Sequence, residues 1–154
     1  MPLRVLAAML AVSGSVAAAQ DPPAPAPEVA PPLTHAEFAG GAVQLGERGG
    51  RCALLRGGIE LLALAIPAPC GFSPDRHGGV RIEPFNRGSR IVLIEHIRPD
   101  PQQALHGASG PACIREAQAV RDIGGVLEAG SVIGSAGCDR GPTDQKMFVA
   151  GFRW

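Results

Sequence analysis

The chain has 154 residues, with 14 basic and 14 acidic side chains, so its formal net charge at pH 7 is zero when histidine is neutral. Nucleic-acid-binding proteins carry a basic excess or a basic stripe, so the absence of both argues against that class of partner. The length corresponds to one domain of ordinary size, and 45% hydrophobic residues are sufficient for a core.

Residues 1–19, MPLRVLAAMLAVSGSVAAA, have the form of a secretory signal peptide. Arg4 precedes an apolar run over 5–12, and small residues at 17–19 suit cleavage by a signal peptidase. The run is shorter than the roughly 20 apolar residues that span a bilayer. We therefore predict cleavage near Ala19/Gln20, a periplasmic or secreted location, and a mature form without a transmembrane anchor.

Residues 20–32, QDPPAPAPEVAPP, are rich in proline. Because proline fixes φ and lacks an N–H donor, we expect neither helix nor sheet there, but an extended or disordered tether. The alternative is a proline-rich segment that docks into an aromatic groove of a partner. The remaining residues, 33–154, are predicted to form a single β-rich domain.

The domain begins with Thr-His-Ala-Glu at 34–37, which fits a capping box and predicts one helical turn. Alternating or β-branched patterns between turn residues then predict strands at 51–56, 59–66, 79–85 and 89–97. The pair Gly57-Gly58 lies between the first two strands and predicts a hairpin. The run SRIVLIEHI at 89–97 is almost continuously apolar, which is typical of a strand buried on both faces.

Three later segments complete the pattern. SGPACIREAQAVRDIGG at 109–125 has helix punctuation at both ends, so a helix near 110–123 and a strand both stay open. GVLEAGSVIGSAG at 125–137 predicts one or two short strands. KMFVAGFRW at 146–154 places Phe148, Phe152 and Trp154 on one face of a strand, and we predict that this face is buried. Together these segments predict a mostly β fold, a small antiparallel sandwich or barrel.

The four cysteines, Cys52, Cys70, Cys113 and Cys138, all lie in the predicted domain. An even number of cysteines in an exported chain indicates disulfides, and no C-x-x-C pair suggests zinc. Four cysteines allow three connectivities. We favour Cys52–Cys70 and Cys113–Cys138, because consecutive strands tend to be neighbours in space.

No catalytic residue and no cofactor is assigned, because the chain has no GxSxG, HExxH or P-loop motif. His77, His96 and His106 are weak candidates for metal ligands, since none has another histidine at a locally converging spacing. His96 follows Glu95 in a predicted strand, which directs their side chains to opposite faces. An envelope enzyme or metal-handling protein that uses these histidines is the alternative function.

Two charged loops, at 74–90 and 137–146, supply candidate partner-contact residues: Arg76, Arg87, Asp139, Arg140 and Asp144. Arginine suits carboxylate or phosphate groups, and loops on a rigid scaffold often carry binding residues. The same charges fit a solvated sheet face, and the second loop fits a turn held by Cys138. The leading hypothesis is a binding or inhibitor-like module for a protein or envelope partner, and a structural envelope component is a further alternative. The oligomeric state stays open.

In size, export and strand content the chain resembles small periplasmic protease inhibitors that are built on a β-barrel with a disulfide. This resemblance implies an inhibitor-like binding role for an exported β domain. Those inhibitors have one disulfide and a characteristic tryptophan pattern, whereas this chain has four cysteines and one tryptophan, Trp154. No functional residue is therefore transferred from that family.

Overall fold

Two antiparallel sheets make up the described part of the computed structural model, residues 31–102 and 113–154. The first sheet has the order β1 (His35–Phe38), β2 (Gly41–Arg48), β3 (Arg51–Arg56) and β4 (Ile59–Pro67). The second has the order β5 (Gly71–Phe72), β7 (Ser89–Pro99), β8 (Cys113–Ile123) and β9 (Val126–Ala136), and β6 (Ile82–Phe85) also pairs with β7. A short helix, α1 (Gln145–Val149), follows β9. The prediction of a mostly β, antiparallel fold is confirmed.

The main core lies between the two sheets, and β7 is its central strand. Val92 and Ile94 of β7 belong to this core, whereas Ile91 and Leu93 belong to a second cluster on the outer face of the second sheet. All four side chains are fully buried, so the predicted burial of β7 on both faces is confirmed. Other main-core residues include Phe38, Val43, Leu45, Leu54, Leu64, Ile66, Phe72 and Val120.

A buried glutamine joins the two sheets where β4 and β9 approach each other. Gln118 of β8 accepts a hydrogen bond from the N–H of Ala65 at 2.7 Å and donates one to the carbonyl oxygen of Gly130 at 2.8 Å. Both ends of the amide are therefore satisfied, which is the condition under which a polar group is tolerated in a core. The Gln118 side chain therefore connects the two sheets by hydrogen bonds on one side of the sandwich.

The prediction of a helical turn at 34–37 is wrong. His35–Phe38 form β1, which pairs with β2 in a hairpin through Ala39 and Gly40, both with positive φ. The hairpin satisfies several backbone groups through β2, whereas one isolated helical turn satisfies few of them. Pairing with β2 therefore overrides the local capping pattern.

The alternative left open near 110–123 is decided in favour of a strand. Residues Cys113–Ile123 form β8, which pairs with β7 on one side and β9 on the other. A central strand of this kind receives hydrogen bonds from two neighbours, and this tertiary context outweighs helix punctuation in the sequence. Ser109 and Pro111, which suggested a helix, lie outside the described residues. The segment after β8 forms one strand of 11 residues, β9.

The strand predicted at 146–154 is also wrong, because Gln145–Val149 form α1. The carboxylate of Asp144 caps this helix by accepting from the N–H of Lys146 at 2.9 Å. Phe148 and Phe152 are buried as predicted, and they pack on the outer face of the second sheet with Ile91 and Leu93. Phe148 lies in α1 and Phe152 in the turn that follows it, so the alternating pattern identified the buried side chains but not the conformation of the backbone. Trp154 is 41% exposed, contrary to the prediction that it is buried.

Both disulfides have the predicted sequential connectivity. Cys52–Cys70 links β3 to the residue before β5, and Cys113–Cys138 links the start of β8 to the loop after β9. Disulfides persist in oxidising compartments, so they are compatible with an extracellular or periplasmic location. The predicted signal peptide lies outside the described residues, as does all of the tether except Pro31 and Pro32.

Within residues 31–102 and 113–154, no helix is long and apolar enough to cross a membrane.

Candidate functional site

A surface groove of about 650 Å³ lies between the loop that follows β5 and the C-terminal loop before α1. Its polar lining includes Asp75, Arg76, Arg81, Thr143, Asp144 and Gln145. Two of the five predicted partner-contact residues, Arg76 and Asp144, therefore line the same cavity. We call this cavity the polar groove.

One wall of the polar groove is a turn held by an aspartate. Asp75 Oδ1 accepts hydrogen bonds from the backbone N–H of His77 at 2.7 Å and of Gly79 at 2.9 Å. These bonds lower the pKa of Asp75, because they stabilise its charged form, and the bond from His77 has the largest effect. The ionised carboxylate thus maintains the turn that carries the exposed Arg76.

Arg81 connects this wall to the opposite one. Its Nε and Nη2 donate to Glu83 Oε2 at 3.0 and 2.8 Å, and its Nη1 donates to the backbone carbonyl oxygen of Thr143. Its guanidinium also lies 4.7 Å from the ring centroid of Phe148 in α1. Gln145 donates to Glu83 from the other wall. The two walls are therefore held together by a half-buried network.

Beside the groove lies a group of polar side chains, which we call the buried cluster: Ser73, Glu95, Arg115 and Thr143 are buried, and Arg140 is half-buried. The Thr143 hydroxyl donates to Glu95 Oε1 at 3.1 Å and accepts from Ser73 Oγ at 3.0 Å. Glu95 is only 1% exposed, and Arg115 Nη1 lies 3.7 Å from the same carboxylate oxygen.

Burial is the dominant electrostatic effect in this cluster. It raises the pKa of Glu95, and the charge of Arg115 is the strongest opposing influence, followed by the Thr143 hydrogen bond. Burial also lowers the pKa of Arg140, whereas the charge of Glu95 acts to raise it. Glu95 is thus the acidic centre on which the two arginines and Thr143 converge.

The other three predicted contact residues lie outside the groove lining. Asp139 is exposed, and its Oδ1 lies 3.6 Å from Arg115 Nη2, which also donates to the Asp139 carbonyl oxygen. Arg140 belongs to the buried cluster, and Arg87 lies in the turn between β6 and β7. Of the five candidates, the structure therefore brings only Arg76 and Asp144 together in the groove lining.

Sequence reasoning missed Glu95, Arg115 and Arg81 as residues that support a site. A signal for Glu95 was present, because a single carboxylate interrupts the apolar run IVLIEHI at 91–97. A charge in the middle of a fully buried strand requires partners. No comparable signal marked Arg115 or Arg81, since each lies close to another charged residue in the sequence.

The candidate metal ligands do not converge in the described residues. His77 is exposed in the Asp75 turn, whereas His96 is buried, with its Nδ1 2.8 Å from the carbonyl oxygen of Pro69. His96 and Glu95 lie on opposite faces of β7, and His106 is outside the described residues. Within 31–102 and 113–154, no group of three or more His, Cys, Asp or Glu residues is placed to hold a metal ion.

The fold and site define a β-sandwich with two disulfides and a polar groove beside its second sheet. No protein-family model matches the chain, and comparisons with curated proteins and with solved structures also give no match.

Proposed function

We propose that the protein is a small binding module that holds a charged segment of a partner protein in the polar groove. One observation carries this proposal: Arg76 and Asp144, of opposite charge and far apart in sequence, line the same groove. Arg76 makes no hydrogen bond or ion pair within the described residues, so its guanidinium is available to a carboxylate. Asp144 uses Oδ1 to cap α1, and its charge is available to a basic group.

The rigidity of the groove supports the same role. Arg81, Glu83 and Gln145 tie the two walls together, and the buried Thr143 anchors one of them to β7 through Glu95. A preformed site loses little conformational entropy when it binds, so more of the contact energy appears as affinity. The chemistry suits a partner segment that carries both an acidic and a basic side chain.

The most direct test is a charge reversal at Arg76. We expect Arg76→Glu to reduce the amount of partner captured from an extract of exported proteins at least tenfold, because an acidic partner group would then face a like charge. Asp144→Asn should weaken capture less, since asparagine still caps α1 but has no charge. The readout is quantitative mass spectrometry of the proteins retained by each variant.

Arg98→Glu is the matched control. Arg98 is an exposed arginine near the end of β7, outside the groove, and its reversal changes net charge by the same amount. Any protein lost with both reversals responds to net charge alone. If Arg76→Glu retains the same proteins as the unmodified chain in equal amounts, the groove is not the binding site.

We also propose that the domain acts outside the cytoplasm after cleavage near Ala19/Gln20, which would leave the proline-rich segment as a tether. The two disulfides support an oxidising environment. Mass spectrometry of the N-terminus of the exported protein should find a chain that begins at or near Gln20. An exported chain that retains Met1 would contradict this proposal.

A further inference from the structure

One end of the second sheet concentrates exposed apolar side chains. Among the described residues, the large apolar side chains with substantial exposure are Ile59, Phe85, Val126, Val132 and Trp154. Three of them, Phe85, Val126 and Trp154, are 38%, 70% and 41% exposed and share this end. Arg90 pairs with Asp122, so the β6–β7 turn and the β8–β9 turn lie side by side there.

The two aromatic rings form a packed apolar surface. The centroids of Phe85 and Trp154 are 4.6 Å apart with the rings inclined at 65°. The indole N–H of Trp154 donates to the carbonyl oxygen of Val149 at 3.0 Å, and the Arg121 guanidinium lies 5.0 Å from the ring centroid. The polar atom of the indole is therefore satisfied within the protein, and the exposed remainder is apolar.

The arrangement of Phe85 and Trp154 favours insertion of the two rings into an apolar medium over stacking of a ligand on a ring face. A sugar or a nucleobase that stacks on an aromatic side chain needs an open ring face. Here Arg121 lies over the indole and Phe85 packs against it, so an open platform is not offered. Aromatic side chains with an apolar exposed surface instead suit the boundary between water and lipid.

Two exposed arginines adjoin the aromatic pair along the chain: Arg87 follows Phe85 by two residues, and Arg153 precedes Trp154. Neither makes a hydrogen bond or ion pair within the described residues. Arg90 and Asp122 face each other on the opposite face of the sheet, because they alternate with Ile91 and Arg121, and Glu128 pairs with Arg121 at 2.7 Å. On the face that carries the rings, the two arginines are therefore available to an anionic partner. We call this region the aromatic–basic corner, comprising Phe85, Arg87, Val126, Arg153 and Trp154.

The backbone at Arg87 has a left-handed conformation that residues other than glycine rarely adopt. Arg87 has φ 58° and ψ 29°, Gly88 has φ 68°, and Ser89 N–H donates to the Asn86 carbonyl oxygen. Both central residues of this turn thus have positive φ, as in a type I′ turn, where asparagine and glycine are strongly preferred. Arginine is disfavoured in this conformation, so its presence at the tip of the hairpin is not explained by folding stability.

We propose that the aromatic–basic corner docks the protein reversibly on an anionic lipid surface. Phe85, Val126 and Trp154 would enter the interface, and the two exposed arginines Arg87 and Arg153 would contact the anionic headgroups. Charge complementarity and the apolar character of the exposed rings together select this partner. The inference does not rest on the polar groove.

Trp154 is the only tryptophan of the chain, so its fluorescence reports directly on the corner. We expect a blue shift of the emission, and sedimentation of the protein, with vesicles of equal parts phosphatidylglycerol and phosphatidylcholine at low salt. Pure phosphatidylcholine should bind much less, and high salt should release the protein, because salt screens charge attraction at a surface. All variants carry the same N-terminus, so differences between them arise in the folded part.

The variant Arg87→Asn should change vesicle binding and folding stability in opposite directions. It should weaken binding to the anionic vesicles about fivefold, as expected for one basic residue at an anionic surface. It should also raise the midpoint of thermal unfolding by about 3 °C, because it creates the favoured Asn-Gly turn. Phe85→Ser should weaken binding and keep the Trp154 probe. Arg98→Asn and Val132→Ser are matched controls outside the corner, and both should bind like the unmodified chain.

Three results would overturn the proposal. The first is the absence of both the fluorescence shift and sedimentation with anionic vesicles. The second is full binding by Arg87→Asn and Phe85→Ser, or an equal loss in the two control variants. The third is an equally strong fluorescence shift with a soluble polyanion such as heparin, which would assign the corner to a polyanionic chain instead of a lipid surface.

Discussion

Replacing Phe148 with alanine is expected to lower the free energy of unfolding by about 4 kcal/mol, among the largest effects of a single core truncation. Phe148 is fully buried between α1 and the outer face of the second sheet, where it contacts the cluster that contains Ile91 and Leu93. Its removal leaves a cavity under α1 and takes the aromatic ring away from Arg81. The wall of the polar groove should loosen as a result.

Urea denaturation followed by circular dichroism measures this effect. Phe148→Leu should be destabilised by only about 1.5 kcal/mol, and it serves as the readout if the alanine variant fails to fold. Phe85→Ala is the matched control, because Phe85 is a partly exposed phenylalanine on the same sheet and should lose less than about 1 kcal/mol. A Phe148→Ala variant as stable as the Phe85→Ala variant would show that α1 does not cover this face.

Replacing Arg115 with methionine should lower the free energy of unfolding by about 3 kcal/mol near pH 8, and by much less near pH 4. The substitution keeps most of the side-chain volume but removes the cation 3.7 Å from Glu95. A buried carboxylate without its counter-charge is strongly destabilising. The hydrogen bond from Arg115 to the Asp139 carbonyl oxygen is also lost.

The pH dependence follows from the pKa of Glu95. Burial raises this pKa, so the folded protein binds the proton more tightly than the unfolded chain does. The contribution of Glu95 to stability is therefore fully present below its unfolded pKa and is lost as the pH rises through its folded pKa. Arg115 is the strongest influence that limits the rise, so its removal should raise the pKa of Glu95 further and steepen the loss of stability with pH.

Denaturation of Arg115→Met at several pH values between about 4 and 8 tests this prediction. Arg98→Met is the matched control, since it makes the same chemical change at an exposed position of the adjacent strand β7. Its stability relative to the unmodified chain should not depend on pH. A deficit in Arg115→Met that is equal at every pH would mean that packing, and not the charge of Glu95, is responsible.

Local sequence patterns determined much of the sandwich. The β-branched run of β7, the Gly57-Gly58 turn and the sequential disulfides were all predicted correctly, because each depends on residues close in sequence or on the tendency of consecutive strands to be neighbours. The predicted burial of Phe148 and Phe152 was also correct, because large apolar side chains at a regular spacing need a surface to cover.

Other features depended on partners that the local sequence does not contain. The 34–37 segment became β1 because β2 lies beside it, and residues 113–123 became β8 because two strands flank them. α1 replaced the predicted C-terminal strand, since Phe148 from the helix and Phe152 from the turn that follows it both pack on the outer face of the second sheet.

The candidate sites are the clearest case of tertiary control. Arg76 and Asp144 meet in one groove, Glu95 meets Arg115 through the pairing of β7 with β8, and Phe85 meets Trp154 at the end of the same sheet. Amino-acid sequence alone determined which side chains carry charge or aromatic surface, and where turns separate them. Only the packed sheets decided which of them are neighbours, because those contacts join residues that are distant along the chain.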